Sequence, residues 1–244
     1  MNSSTKKIKI IFKKVQRANL KYRLVNSGDR IAVGLSGGKD SFTLLYFLQL
    51  LRRRTPLDFE IYPVYIDLGW ENDVSFLRQF CSMQGLSLLI KKTNIKQVVF
   101  DIRKEKSPCS LCSHLRRGAL NRLAKEHSCN KVALGHHLDD AVNTLFMSIL
   151  YENRFNVFKP CTYLDRIGLT VIRPLIYVEE SDINSFISSE GITPVENKCP
   201  VDGYTKRDEV KALVNEIEKR CPGAKNKFLA CLENVAPDCF WQKI

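Results

Sequence analysis

Between Ser36 and Ser41 the chain reads SGGKDS, directly after the apolar residues Ile31, Ala32, Val33 and Leu35 and directly before the apolar run Phe42 to Leu51. A strand, a glycine-rich turn and a helix N-terminus make an anion site, because the first N–H groups of a helix have no internal partner and the macrodipole is positive there. Phosphate is the ligand this chemistry suits. A Walker A loop would need a glycine five places before the Gly-Lys pair and a Ser or Thr directly after the lysine. Val33 and Asp40 hold those positions. The loop is expected to cradle phosphates through the N–H groups of Gly37, Gly38 and Lys39 without transferring a γ-phosphoryl group. A tight turn alone would account for the two glycines but not for Ser36, Lys39, Asp40 and Ser41.

The second constellation is SPCSLCSHLRR, residues 107 to 117. Cys109 and Cys112 have CxxC spacing at a helix start, where the dipole and Arg116-Arg117 are expected to lower thiolate pKa values. The spacing suits half a zinc site, a redox pair or a cluster anchor. The sequence has no second CxxC or CxxH pair to complete a tetrahedral zinc site. Cys199, in the polar stretch NKCPVDG, is the candidate third thiolate. Three thiolates would leave one iron of a [4Fe-4S] cluster open to an outside ligand such as sulfide. Cys81, Cys129, Cys161, Cys221, Cys231 and Cys239 read as small core or surface residues.

The third constellation is ALGHHLDD, residues 133 to 140. A strand ends in Gly-His-His, and Asp139 and Asp140 open a helix. Capping accounts for one aspartate; two, beside His136 and His137 at a strand's C-terminal end, suggest a Mg²⁺–ATP site.

The elements that must position these groups alternate. Strands are expected at 31–35, 61–67, 86–91, 131–136 and 169–172, and helices at 42–51, 74–85, 111–127, 139–151 and 181–190, with two more around 206–219 and 224–234. Residues 94–108 read as a loop or short helix. Alternation of this kind predicts an α/β fold with a doubly wound, mostly parallel sheet and its ligand at the strands' C-terminal ends.

The 244 residues are 44% hydrophobic and 26% charged, as in an ordinary globular chain, and no apolar run approaches the length of a membrane span. Nine cysteines are an odd number for a disulfide framework, and with no signal-peptide pattern a cytoplasmic location is expected. The net charge of +12 is uneven. Residues 1 to 23 hold eight Lys or Arg and no acid, with Ile8, Ile11, Phe12, Val15 and Tyr22 at helical spacing. Such a basic amphipathic helix suits an anionic membrane, nucleic-acid phosphates or simple packing with a solvated basic face. Arg52 to Arg54, Lys91-Lys92 and Arg116-Arg117 extend the positive charge and favour RNA over a membrane.

Together SGGKDS, CSLCSHLRRG, GHHLDD, the Arg173–Leu175 tripeptide RPL and a late lone cysteine closely resemble the tRNA 2-thiocytidine synthetase family of PP-loop enzymes, over residues 10 to 237. The resemblance implies an adenine-nucleotide α-hydrolase-like, Rossmann-like fold with N- and C-terminal helices. It implies ATP cleaved between its α and β phosphates, with Mg²⁺, and a [4Fe-4S] cluster held by Cys109, Cys112 and Cys199. The ATP-binding residues expected are Leu35, Ser36, Gly37, Gly38, Lys39, Asp40, Ser41, Asp67, Gly135 and Asp140. Lys39, Asp140 and Arg116 are the expected catalytic residues: Lys39 for the departing pyrophosphate, Asp140 for magnesium or a proton, Arg116 for the base or a phosphate. The implied chemistry adenylates the C2 oxygen of a cytidine and replaces it with sulfur. tRNA, a cysteine desulfurase or sulfide, and a second copy in a homodimer are the implied partners. Three regions follow: 1–28, a basic helical segment; 29–198, the ATP-binding domain; and 199–244, a C-terminal helical segment carrying a cluster cysteine. The chain lacks the paired terminal zinc motifs of 2-thiouridine enzymes and the appended RNA domain of lysidine synthetases. Two other functions fit the same residues: adenylation of another tRNA base or a small molecule followed by attack of an amine or other nucleophile, with zinc on the cysteines, and a nucleotide-sensing RNA-binding module without turnover.

Overall fold

A computed structural model describes residues 3–70, 72–104, 108–195, 199 and 206–236. They form two compact units, residues 1–137 with 159–203, and residues 138–158 with 204–244. In chain order the first unit holds α1 (Ser3–Tyr22), β1 (Arg30–Gly34), α2 (Lys39–Arg54), β2 (Glu60–Asp67), α3 (Ser75–Met83), β3 (Leu89–Lys92), a π-helical turn (Gln97–Ile102), α4 (Pro108–Glu126) and β4 (Lys131–Ala133). After α5 (Leu138–Glu152), which belongs to the second unit, it continues with β5 (Cys161–Leu164), β6 (Leu169–Ile172) and α6 (Glu180–Ser189); α7 (Lys206–Arg220) and α8 (Ala224–Glu233) complete the second unit.

The sheet order is β3-β2-β1-β4-β6-β5. All neighbouring pairs are parallel except β5 with β6. From β1 the chain winds outward through β2 and β3, then crosses back to lay β4 on the other side of β1. The switch point between β1 and β4 is where a doubly wound sheet opens a crevice for ligand. The expected fold class holds, with one strand added: β5, an antiparallel edge. Its four residues, CTYL, include a half-buried cysteine and a largely exposed tyrosine, so no strong alternation marks them as a strand. β4 stops at Ala133 and not at His136, which leaves Gly135, His136 and His137 as a loop at the strand's C-terminal end.

The core explains the placement of the loop after β1. Ile31, Ala32 and Val33 are buried, and so are Phe42, Leu44, Leu45, Phe47 and Leu48 on α2. Phe42 meets Phe80 of α3 edge-on at 4.8 Å between centroids, and Phe47 meets Phe186 of α6 at 5.2 Å. Each buried phenylalanine contributes about 1.5–3 kcal/mol, so α2 is wedged between α3 and α6 and its N-terminus is held fixed. α1 buries Ile11, Phe12, Val15 and Ala18, while Lys14 Nζ pairs with Asp182 at 2.6 Å and Glu179 at 3.2 Å on or beside α6.

In the second unit, Lys225 Nζ bonds Asp139 and Asn215, each at 2.7 Å. Glu218 accepts from the Lys225 and Gly223 N–H groups at the start of α8, and these bonds hold its carboxyl below the usual range. That arrangement caps α8 through a side chain of α7.

Candidate nucleotide and metal site

The loop after β1 is built from the residues the sequence singled out. Leu35 is buried, and its N–H donates to Val64 O at 2.8 Å, so the β1–β2 ladder runs one residue past the strand. Gly38 caps α2 in extended conformation, and Gly37 sits at φ +88°, where a side chain is strained. Ser41 Oγ donates to Gly38 O at 2.8 Å and fixes the turn from inside. Lys39 and Asp40 then occupy the first turn of α2, where helical N–H groups lack internal acceptors. This is the geometry of an anion cradle.

Lys39 reaches two carboxylates: its Nζ lies 3.0 Å from Glu180 Oε1 and 3.2 Å from Asp40 Oδ1. Burial draws the lysine pKa down, but Asp40 and Glu180 together outweigh it and hold the ammonium above its ordinary value. Buried His137 places Nε2 3.8 Å from Asp40 Oδ1. A Cβ on Gly135 would stand 3.2 Å from Asp40 C and O, so a larger residue there would press the start of α2 back by a few tenths of an ångström. Asp67 closes the edge of β2; its Oδ1 accepts from Gly69 N–H at 2.9 Å. Asp140 stands on the first turn of α5, half-buried, in the second unit.

The cysteines sort by environment. Cys109 is exposed and Cys112 half-buried in the first two turns of α4, and Cys199 is half-buried. Burial pushes the Cys112 thiol up; Arg116, one turn along, opposes this, while Cys199 and Cys109 push it further up. The expected lowering at Cys112 is therefore not found: desolvation and two neighbouring thiols outweigh one exposed arginine. The same interactions put Cys109 and Cys199 each within electrostatic reach of Cys112. Among the described residues no three His, Cys, Asp or Glu side chains converge tightly enough to hold a single metal ion. Cys81 and Cys129 are buried, which raises each thiol to about 11; Cys221 and Cys231 are exposed, and Cys239 lies outside the described residues.

Two residues of the site had no warning in the sequence. Glu180 reads as an ordinary acidic residue at a helix start, yet it is the partner of Lys39. Val195 is a single apolar residue in a polar stretch, yet its N–H donates to Gly37 O at 2.9 Å, and a Cβ on Gly37 would fall 2.8 Å from its own Cβ. Val195 thereby ties the irregular segment 192–195 to the phosphate loop. Cys199 follows four residues later, within a chain reach of at most about 14 Å.

A phosphate cradle at the switch point of this sheet, with aspartate in place of the Walker hydroxyl, defines a PP-loop nucleotide-binding fold. The PP-loop domain family matches residues 3–217. The tRNA-cytidine(32) 2-sulfurtransferase of Geotalea daltonii is 40% identical over 233 residues, covering 94% of this chain and 92% of its own. That of Geobacter sulfurreducens is 41% identical over 231 residues, covering 91% and 88%. The chain belongs to the PP-loop family, in the branch of the tRNA-cytidine(32) 2-sulfurtransferases, as its motifs implied. Among solved structures, the U34-tRNA thiolase NcsA from Methanococcus maripaludis with its [4Fe-4S] cluster shares the fold at TM-score 0.77 and 24% identity, over 97% of this chain and 82% of that one. The NH3-dependent NAD synthetase from Campylobacter jejuni aligns at TM-score 0.51 and 17% identity, over 95% and 89%. No helix among the described residues is long and apolar enough to cross a membrane.

Proposed function

We propose that this protein uses ATP to replace the C2 oxygen of a tRNA cytidine with sulfur. The observation that carries the reading is the hydrogen bond from Val195 N–H to Gly37 O, because it ties the segment leading to Cys199 directly to the ATP loop. Curated relatives of nearly equal length, named for this activity on cytidine 32 of tRNA, support it.

A C2 carbonyl is a poor site for sulfur attack, since oxide is a bad leaving group; adenylating that oxygen supplies a good one. Lys39 and the first-turn N–H groups of α2 stabilise the pyrophosphate that departs, in a pocket where their charge acts at short range. Mg²⁺ bound with ATP would supply further positive charge there. Glu180 and Asp40 keep Lys39 charged for the task. Asp140 would hold the magnesium or take a proton, and Arg116 would hold the base or a phosphate. Leu35, Ser36, Ser41, Asp67 and Gly135 shape the nucleotide pocket.

Cys109, Cys112 and Cys199 would hold a [4Fe-4S] cluster. The donor set fits: Cys112 lies within electrostatic reach of both Cys109 and Cys199, and thiolates are the ligands that hold such a cluster. Such a cluster supplies an iron position open to sulfide. Sulfide, free or delivered by a cysteine desulfurase, is the sulfur source, the cytoplasm the compartment and a homodimer the assembly in this reading. The test is iron and acid-labile sulfide per chain after anaerobic purification, with mass spectrometry of tRNA nucleosides. About four of each, lost in Cys109→Ala, Cys112→Ala and Cys199→Ala, together with 2-thiocytidine formed only with ATP, is the expected result. Zinc without sulfide would reject the mechanism in favour of adenylation with another nucleophile.

A further inference from the structure

We infer that the outward face of α1, carrying Lys6, Lys9, Lys13, Arg17 and Lys21, is the surface on which the phosphate backbone of tRNA docks. The inference rests on the proposed function and adds where the nucleic acid is held. α1 has no acidic residue, and the packing divides its cations into two sets. Lys7 and Lys14 turn inward: Lys7 Nζ donates to Ser185 O at 3.4 Å, and Lys14 pairs with Glu179 and Asp182. Lys6, Lys9, Lys13, Arg17 and Lys21 are exposed. At 100° and 1.5 Å per residue they form one stripe about 22 Å long. Arg17 is braced over the Tyr177 ring at 4.3 Å, and Arg54, at the end of α2, lies over Phe12 at 5.9 Å and brings a further cation to the same helix.

Burial decides between the polyanions that a basic helix could meet. A helix that lies on a membrane inserts its apolar face among lipids. Here that face, Ile11, Phe12, Val15 and Ala18, is buried in the protein, and only Ile10 and Leu20 stand out among the exposed cations. A row of cations on a rigid, packed helix with no apolar face to insert suits phosphates at regular spacing, and each phosphate neutralised releases counterions.

The experiment measures the dissociation constant of unmodified tRNA from the cluster-loaded full-length protein between about 50 and 300 mM salt, for the wild type, Lys6→Gln/Lys13→Gln and Lys6→Glu/Lys13→Glu. Iron content and ATP binding of each variant are measured alongside, and both are expected to match the wild type. The double glutamine variant should flatten the slope of log Kd against log salt by about 1.5, and the charge reversal should weaken binding tenfold or more at 100 mM. A steep wild-type slope left unchanged in both variants would overturn the docking surface and leave the proposed function standing. A wild type that binds no tRNA, or that binds anionic vesicles in its place, would overturn both.

Discussion

Lys39, in the loop after β1, is held by Glu180, 3.0 Å away at the start of α6, so its ammonium is positioned by a helix distant in sequence. Glu180 and Asp40 raise the lysine pKa against the pull of desolvation. Below the ordinary lysine value this pairing stabilises the fold in full, and the contribution fades as pH rises through the raised value. Removing Glu180 leaves desolvation less opposed. Glu180→Gln should therefore move the alkaline limb of AMP formation to lower pH and slow it about 10- to 100-fold through misplacement of Nζ. Lys39→Ala should abolish AMP release while iron content stays unchanged. Single-turnover AMP formation across alkaline pH checks both; a limb that does not move in Glu180→Gln would show that Glu180 only packs.

The two close approaches at the loop predict different failures. Gly37→Ala places a side chain at φ +88° and 2.8 Å from Val195 Cβ, and strain of both kinds should cost about 1–3 kcal/mol. Gly135→Ala meets backbone atoms of Asp40 at 3.2 Å, which must shift by tenths of an ångström. Thermal melting should fall clearly for Gly37→Ala and little for Gly135→Ala, while ATP affinity, by calorimetry, should fall in both. Equal ATP affinity in Gly135→Ala would mean that the start of α2 tolerates the shift.

The sheet and the phosphate loop were legible because their signals are local: apolar runs of the right length, punctuated by glycine, and a charged turn with no packing reason to exist. The CxxC spacing is as local a signal, and its two cysteines stand at the start of a helix, α4, as read. Glu180 was not, since an acid at a helix start satisfies the dipole whether or not a lysine meets it. Val195 and β5 were missed because their significance comes from what lies opposite. The Cys112 thiol went the other way from its sequence context, because burial is a property of the folded chain and outweighs one flanking arginine.

Beneath the sheet, Lys131 Nζ lies 2.7 Å from Asp29 and 2.8 Å from Leu24 O, with both side chains nearly excluded from water. Asp29 also accepts from Asn26 N–H at 2.6 Å and Asn130 Nδ2 at 2.8 Å. Asp29→Ala leaves a buried ammonium with one carbonyl and should cost about 3–5 kcal/mol. Lys131→Met leaves a carboxylate that keeps two donors, so its cost should be smaller. The double variant should recover most of the loss, because neither charge remains. Urea unfolding of the three proteins measures this; a double variant as unstable as Asp29→Ala would place the cost in packing and not in the stranded charge.

Cysteine reactivity separates the proposed ligands from the structural thiols. Cys81 and Cys129, raised to about 11 by burial, are thiolate in about one molecule per thousand at pH 8, and their side chains are shielded as well. Iodoacetamide should leave both untouched until the protein unfolds. As pH climbs from about 9 to 11, the unfolded chain ionises these thiols first, so the fold should lose stability there. Cys109, Cys221 and Cys231 are exposed and should label first in metal-free protein, with Cys112 slower because burial and its thiol neighbours hold its proton. Arg116→Ala removes the one influence that lowers it and should slow Cys112 further. In protein loaded with iron and sulfide, Cys109, Cys112 and Cys199 should become protected together while Cys221 and Cys231 keep their rate. Peptide mass spectrometry after timed alkylation reads each site separately. Cys109 labelling at the same rate with and without the cluster would remove it from the proposed ligand set, and with it the three-thiolate arrangement on which the proposed sulfur transfer depends.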